Sequence, residues 1–252
     1  MHHDHDHDLG LAHDLGRLQQ QAFERRAALR WLLGAGAITL AGCGGGGSSA
    51  ASDSSSASSG FSGSSSGNSS TSSSCSVIPS ETEGPYPGDG SNTANGSVAN
   101  ALALSGIVRS DIRASIAGAS GVATGVPLQV IIELVNTNAS CADLSGYAIY
   151  LWHCDALGRY SMYSSGVTGE NYLRGVQATG TDGTASFQTI YPGCYSGRVP
   201  HIHFEIYRST TTATNWNNKL RTSQLCFPSD TNTAVYATSG YGNSAANNNA
   251  IS

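Results

Sequence analysis

The residue types that could do chemistry are concentrated in one stretch, YPGCYSGRVPHIHF, from Tyr191 to Phe204. It contains two tyrosines, an arginine and the pair His201-x-His203. On a β-strand, alternate side chains share a face, so both imidazoles would lie on one side of the strand and within reach of one metal ion. Five of the eight histidines of the chain precede residue 14, so the pair stands out in the remainder. We therefore predict a metal site on this segment.

The neighbouring tyrosines indicate which metal this site would bind. A neutral tyrosine, with a pKa of about 10, is a poor ligand, so a phenolate ligand implies a hard, strongly Lewis-acidic cation. Ferric iron meets this requirement, whereas zinc or copper would more often recruit a third histidine or a cysteine. Tyr195 and Tyr160 are within reach by their positions in the sequence. Spacing alone leaves open whether each is a ligand or a structural turn residue.

The elements that would position these residues are short strands. Runs rich in β-branched and aromatic residues cover 126–136, 147–154, 185–191 and 201–207. Turn signals such as Thr181-Asp182-Gly183 separate them, and no sustained helical period follows residue 75. The pattern favours an all-β fold, an antiparallel β-sandwich, in a single domain that spans 75–252.

Alternation along the last run predicts which of its residues face the core. Ile202, Phe204 and Ile206 would pack inward, because successive side chains of a strand point to opposite faces. His201 and His203 would then share the other face. The same strand would thus supply both part of the core and part of the metal site.

The first part of the chain predicts export rather than folded structure. Paired arginines at 25 and 26 precede an apolar stretch that ends in LAGC, from Leu40 to Cys43. This region resembles a twin-arginine signal joined to a bacterial lipobox, in which Cys43 would be lipidated. The apolar stretch is too short for a stable transmembrane span, and a short buried helix is the alternative. Residues 44–74 are nearly all Gly and Ser, which predicts a disordered tether.

We therefore expect a signal region over 1–43, a tether over 44–74 and an exported lipoprotein that faces the periplasm or the cell exterior. Its contact with a membrane would be through the lipid anchor alone. The formal net charge of −5, with 12 Lys and Arg, gives no electrostatic footprint for nucleic acid. No nucleic-acid partner is expected.

The cysteines are odd in number once Cys43 is set aside. The remaining five are Cys75, Cys141, Cys154, Cys194 and Cys226. At most two intrachain disulfides can form, and an oxidising compartment favours at least one. The spacings leave the connectivity and the oligomeric state open.

Four segments carry a resemblance to a known family. They are TEGPYP from Thr82, YLWHCDALGRYS from Tyr150, TDGTASFQTIYPGCY from Thr181 and GRVPHIHF from Gly197. In order and approximate separation they resemble the intradiol ring-cleavage dioxygenases, non-haem ferric enzymes that open catechols between their two hydroxyls. The resemblance covers nearly all of the chain after the tether. It implies one non-haem Fe(III) per active site, a catechol-type substrate, O2 as co-substrate and a muconate-type diacid as product.

The resemblance also implies roles for individual residues. Four would be iron ligands, namely Tyr160, Tyr195, His201 and His203. Tyr195 would be the ligand that leaves when the catechol binds, and Arg198 would stabilise negative charge that develops during the reaction. Tyr86, in TEGPYP, is a candidate for contacting the substrate ring. Tyr191 and His153 match no ligand position, and His153 is interpreted as structural or as support for the ligands.

Other functional classes compete with this interpretation. An exported β-sandwich binding protein with a structural metal would need the histidine pair, but not the two tyrosines and the arginine. A periplasmic copper or zinc protein would need the pair together with other ligands. Tyrosinate-to-Fe(III) charge transfer would make the intradiol site red-brown, whereas a zinc or copper(I) site would be colourless, so colour discriminates between them.

Overall fold

The structure is a computed structural model that describes residues 75–249 of the 252-residue chain. The expected signal region and tether, 1–43 and 44–74, lie outside the described residues. The strands are β1 (Asp89–Ala94), β2 (Ser97–Asn100), β3 (Pro127–Glu133), β4 (Val135–Asn136), β5 (Ala142–Asp143), β6 (Ala148–Trp152), β7 (Arg174–Ala178), β8 (Thr184–Ile190), β9 (His201–Tyr207) and β10 (Arg221–Cys226). The helices are α1 (Ser229–Tyr236) and α2 (Gly242–Asn249), with a 3₁₀ turn at Trp216–Asn218.

A four-stranded antiparallel sheet forms the centre of this region, in the order β10-β9-β6-β7. Strand β6 is buried along its whole length because it has a neighbour on each edge and both of its faces are covered. Its last residue, Trp152, pairs with His203 of β9 on one side and with Arg174 of β7 on the other. This register brings the histidine strand and β7 to the same end of the sheet.

The antiparallel pair β3–β8 packs against one face of this sheet. The apolar cluster between these layers includes Leu151 from β6, Phe204 from β9, Val130 from β3 and Phe187 from β8. Two layers of antiparallel strands around an apolar core constitute a β-sandwich, so the predicted all-β fold is confirmed.

The opposite face of the central sheet carries aromatic side chains, among them Tyr150, Trp152 and Tyr207. The predicted alternation along β9 is also borne out. Ile202, like Phe204, packs into the core shared with β3–β8. The histidines of β9 therefore lie on the aromatic face.

The predicted strands agree with the structure to within a few residues, and the run 201–207 coincides with β9. The hairpin β1–β2, the strands β5, β7 and β10, and the two helices were not predicted. The helix sequences, SDTNTAVY and GNSAANNN, are mostly polar or small, so they lack an apolar stripe of helical period. Their contacts with the sandwich, rather than their patterning, account for their presence.

One disulfide forms within the described residues, between Cys75 and Cys141. It closes a loop between the beginning of the described region and the β4–β5 hairpin. Cys154, Cys194 and Cys226 keep their thiols. Within residues 75–249, no helix is long and apolar enough to cross a membrane.

Candidate metal centre

The side chains expected to bind iron converge beside the central sheet. The hydroxyl of Tyr160 lies 3.3 Å from Nε2 of His201. Ring centroids are 4.6 Å apart for His201 and His203, 6.0 Å for Tyr160 and Tyr195, and 6.1 Å for Tyr195 and His201. The structure thus brings all four predicted ligands together, although Tyr160 is 41 residues away from His201 in the sequence.

His201 is oriented by its own backbone. Its Nδ1 lies 2.6 Å from the carbonyl oxygen of Val199, two residues earlier. A carbonyl can only accept, so we assign the proton to Nδ1, which leaves the lone pair of Nε2 directed at the Tyr160 hydroxyl. Metal-bound histidines ordinarily donate their second ring N–H in this manner.

His203 is held by stacking rather than by hydrogen bonds. Its ring lies parallel to that of Trp152, with centroids 4.9 Å apart and planes inclined by 4°. Burial, followed by the charges of His201 and Arg198, holds the pKa of His203 well below its usual value. Within residues 75–249, Nδ1 of His203 is buried and has no hydrogen bond of sound geometry. The backbone of Thr82 is nevertheless close enough to raise the pKa of the ring, against the other effects. The imidazole of His203 is therefore neutral and can offer a nitrogen lone pair to a metal ion.

The turn that presents Tyr160 is built around the carboxylate of Asp155. This group accepts the backbone N–H groups of Leu157 and Arg159, each at 3.0 Å, and an ion pair from the Arg159 guanidinium at 2.8 Å. The hydroxyl of Tyr172 donates to it as well, at 3.0 Å. The turn is thus rigid without any metal.

Gly158 allows this turn to touch the segment that carries Tyr195. Its φ is +80°, in the left-handed region that favours glycine, and a Cβ at this position would collide with the carbonyl oxygen of Cys194. The backbones before Tyr160 and Tyr195 are therefore in direct contact. This contact sets the separation of the two phenol rings.

The two phenols differ in environment. Tyr160 is 1% exposed, and burial raises the pKa of its hydroxyl well above the usual value. Tyr195 is half-buried; burial raises its pKa too, while the charge of Arg198 opposes the increase. Arg198 is itself half-buried and donates to Oε1 of Gln224 at 3.2 Å. Without a cation between them, both phenols stay protonated.

This donor set fits ferric iron. It combines two phenol oxygens with two neutral imidazoles, one of which has its lone pair aimed at a phenol. A hard trivalent cation would stabilise the phenolates against burial, which is the requirement identified from the sequence.

A second group of possible ligands lies nearby but already has a cation. Oxygen atoms of Glu83, Asp89 and Glu205 lie within 4.8 Å of one another. The ammonium group of Lys219 contacts Glu83 and lies 3.1 Å from Glu205. Burial raises the pKa of Glu205 to about 7, which further reduces the negative charge of the cluster. The cluster is therefore an ion-pair network that attaches the Glu83–Asp89 segment to β9.

The other residues singled out from the sequence are placed as follows. The ring of Tyr86 lies 4.8 Å from that of Tyr160, next to the candidate ligands. His153 is bonded at both nitrogens, with Nδ1 donating to the Cys154 carbonyl at 2.8 Å and Nε2 accepting from Thr189 at 2.7 Å. Burial lowers the pKa of His153 to about 4, so it is neutral. The hydroxyl of Tyr191 donates to the side chain of Asn232 and lies in a separate apolar cluster.

Sequence reasoning missed residues that support the site from a distance, namely Asp155, Arg174, Lys219 and Gln224. Asp155 is the first residue of the DALGRY turn, and a carboxylate before a glycine turn was a usable signal. The other three contact the site through partners far away in the sequence, so no local pattern reveals them.

Comparisons with known proteins identify the family. A family model described as Dioxygenase matches residues 114–239, half of the chain. An intradiol ring-cleavage dioxygenase from Tetranychus urticae is 28% identical, with a TM-score of 0.50 over 67% of this chain and 73% of that one. No curated protein matches the sequence.

Two further solved structures are similar at lower TM-scores. The dioxygenase domain of a dioxygenase carbohydrate-binding protein fusion from Streptomyces sp. SirexAA-E is 28% identical, with a TM-score of 0.40 over 62% of this chain and 79% of that one. Catechol 1,2-dioxygenase from Pseudomonas arvilla C-1 is 22% identical, with a TM-score of 0.35 over 49% and 42%. The family match and the Tetranychus structure confirm the resemblance found in the sequence: the chain belongs to the intradiol ring-cleavage dioxygenase family.

Proposed function

We propose that this chain is a non-haem Fe(III)-dependent dioxygenase that cleaves a catechol-type ring with O2 to a muconate-type diacid. The observation that carries the proposal is the 3.3 Å approach of the Tyr160 hydroxyl to Nε2 of His201, with the rings of Tyr195 and His203 beside them. Tyr160, Tyr195, His201 and His203 would bind one ferric ion. That ion would supply Lewis acidity toward both oxygens of the catechol.

Tyr160 and Tyr195 would have different tasks. Tyr160 is fully buried in a turn fixed by Asp155, so it suits a permanent ligand. Tyr195 is half-buried, so it is the more exposed of the two phenols and suits a ligand that leaves. We assign to Tyr195 the release step, in which its oxygen takes up a proton from a catechol hydroxyl.

Arg198 would stabilise the negative charge that develops during the reaction. Its guanidinium is always charged and is partly shielded from solvent, where a fixed positive charge stabilises developing negative charge most effectively. Its charge lowers the pKa of both Tyr195 and His203, so it acts on two of the candidate ligands. Gln224 holds the guanidinium in place. Tyr86 would contact the substrate ring.

A metal-binding β-sandwich without ring-cleavage activity is the competing function. The decisive experiment uses purified, iron-loaded protein and measures O2 uptake with catechol and with protocatechuate, a ring-substituted catechol. We expect a red-brown protein, O2 consumption and a muconate-type diacid identified by NMR. Zinc-substituted protein is the control and should be colourless and inactive. No O2 uptake from protein shown to contain ferric iron would favour the binding protein, and a yellow semialdehyde product would contradict the intradiol assignment.

We also propose that the enzyme is an exported lipoprotein anchored through Cys43. Support comes from the paired arginines, the LAGC segment and the Ser/Gly tether in the sequence. In this arrangement the catalytic domain would act outside the cytoplasm, at a distance from the membrane set by residues 44–74.

A further inference from the structure

Arg174 is a buried cation whose guanidinium is bound mainly by backbone carbonyls. It is 1% exposed, and no carboxylate lies within ion-pair distance of it in residues 75–249. Nη1 donates to the carbonyl of Pro87 at 2.6 Å, and Nη2 donates to the carbonyls of Tyr86 and Ser161, each at 3.0 Å. Nε donates to the Ser161 hydroxyl at 3.1 Å. A buried unpaired charge is unfavourable unless its donors are satisfied in this way.

These carbonyls belong to two separate segments that meet at the candidate site. One segment carries Tyr86 itself, and the other continues from Tyr160 to Ser161. The rings of Tyr86 and Tyr160 face each other at 4.8 Å. The guanidinium of Arg174 therefore links the backbone on both sides of this ring pair. Nη1 also donates to the Tyr150 hydroxyl at 3.1 Å, and that hydroxyl donates to the same Pro87 carbonyl at 2.8 Å.

Gly88 is adapted to the presence of the guanidinium. Its φ is +62°, and a Cβ at this position would lie 2.6 Å from Nη1 of Arg174. Only glycine leaves room for the guanidinium to reach the Pro87 carbonyl beside it. The absence of a side chain at Gly88 thus leaves the space that the guanidinium of Arg174 occupies.

Local backbone strain accompanies the same contact. Met162 and Leu173 have φ values of +72° and +57°. They directly follow Ser161 and precede Arg174, the two residues joined by the contact. Left-handed conformations of bulky residues are unfavourable and persist where the surroundings determine them. Both of these residues flank the contact between Arg174 and Ser161.

We propose that Arg174 is a positioning residue for the iron site. Its hydrogen bonds go to none of the four candidate iron ligands, and it sets Tyr86 against Tyr160 so that the catechol ring is bound in one orientation. The proposal rests on the proposed function of that site. Lysine could not replace it, because an ammonium group is a single point of charge that cannot span two carbonyl-bearing segments.

Two variants test the proposal against a matched control. Arg174→Lys replaces the guanidinium with an ammonium group. Gly88→Ala displaces the guanidinium while leaving Arg174 in the chain. The control is Arg113→Lys, because the guanidinium of Arg113 pairs with Asp111 at 2.6 Å and, within residues 75–249, bonds neither to Arg174 nor to the segments of Tyr86 and Ser161. If Arg174→Lys fails to fold, Gly88→Ala decides the outcome.

The first measurement is hydrogen–deuterium exchange of the purified full-length protein, read on peptides that cover 82–92 and 159–163. We expect exchange there to be at least about 10-fold faster in both test variants, because charge-assisted hydrogen bonds are lost, and unchanged in the control. Unchanged exchange in the test variants, or an equal increase in Arg113→Lys, would overturn the proposal.

The second measurement is the visible charge-transfer band of the iron-loaded protein, together with KM and kcat for catechol. We expect the test variants to shift the band and to raise KM by a larger factor than they lower kcat, while the control changes neither. A band and a KM equal to those of the unmodified protein would refute the positioning role. If the unmodified protein does not turn over catechol, the proposed function fails, and the exchange and band measurements still decide the role of Arg174.

Discussion

The ring of Tyr86 lies against the ring of Tyr160, with centroids 4.8 Å apart and planes inclined by 32°. Tyr86 is half-buried, whereas Tyr160 is 1% exposed. Tyr195, also half-buried, has its ring 6.0 Å from that of Tyr86. The two partly exposed rings thus mark the side from which a flat aromatic substrate would approach.

Replacement of Tyr86 tests this contact. Tyr86→Ala removes a ring that would pack on the substrate and should raise KM for catechol by about 2- to 10-fold, the equivalent of one aromatic pair. Tyr86→Phe keeps the ring and should leave KM nearly unchanged. Steady-state kinetics on both variants provide the measurement. An equal effect of the two replacements would show that the hydroxyl, and not the ring, is what matters.

Removal of either histidine of β9 should abolish iron retention. His201→Ala or His203→Ala eliminates one of four protein ligands and leaves a cation undercoordinated. Metal content of the purified variants and the intensity of the visible band provide the measurement. His153→Gln is the control and should keep most of the iron, because His153 is bonded to Cys154 and Thr189. The ligand assignment is wrong if iron depends on His153 but not on His203.

Arg198 should be needed for turnover rather than for iron. Arg198→Ala should keep the colour and lose about 100-fold or more in kcat, since a charged donor aimed at developing negative charge has an effect of this size in a closed site. Iron content, the visible spectrum and O2 uptake are measured on the same preparation. Simultaneous loss of colour and activity would assign Arg198 to holding the metal or the fold.

The disulfide between Cys75 and Cys141 should be a main source of stability. It joins residues 66 apart, and closing a loop of that length contributes up to about 4 kcal/mol to the free energy of unfolding. We expect a Cys75→Ser/Cys141→Ser variant to unfold at lower denaturant concentration than the unmodified protein. Reductant should lower the stability of the unmodified protein and leave the variant unaffected. Equal sensitivity of both proteins to reductant would point to a different bond.

Membrane association should depend on Cys43. Cys43→Ser removes the atom that would be lipidated, so the protein should appear in the soluble fraction or retain its signal region. Cell fractionation and the mass of the purified protein provide the measurement. Unchanged fractionation with membranes would exclude the lipid anchor.

Much of the candidate site could be predicted from local sequence, because its key spacings are local. His201 and His203 share a face since the side-chain period of a strand is two residues. The apolar residues between them identify the buried face of the same strand. Tyr195 and Arg198 are close to the pair along the chain, but their roles, like that of Tyr160, entered through the resemblance of the segments around them.

The supporting structure could not be predicted in this way. No sequence motif marks Arg174, which follows a leucine, and its partners Tyr86 and Pro87 are 88 and 87 residues away. Lys219 reaches Glu83 across 136 residues. The helices α1 and α2 have no apolar period to reveal them.

The sequence by itself determined the strands β3, β4, β6, β8 and β9, the face on which the histidines lie and the family of the chain, because strand alternation and short motifs depend on neighbouring residues. The tertiary structure decided that Cys75 pairs with Cys141, that the turn of Tyr160 contacts the segment of Tyr195 at Gly158, and that Arg174 joins the segments of Tyr86 and Tyr160. These contacts link residues that are distant along the chain. They stabilise the protein only once folding of the sandwich has closed the intervening loops, so no local pattern encodes them.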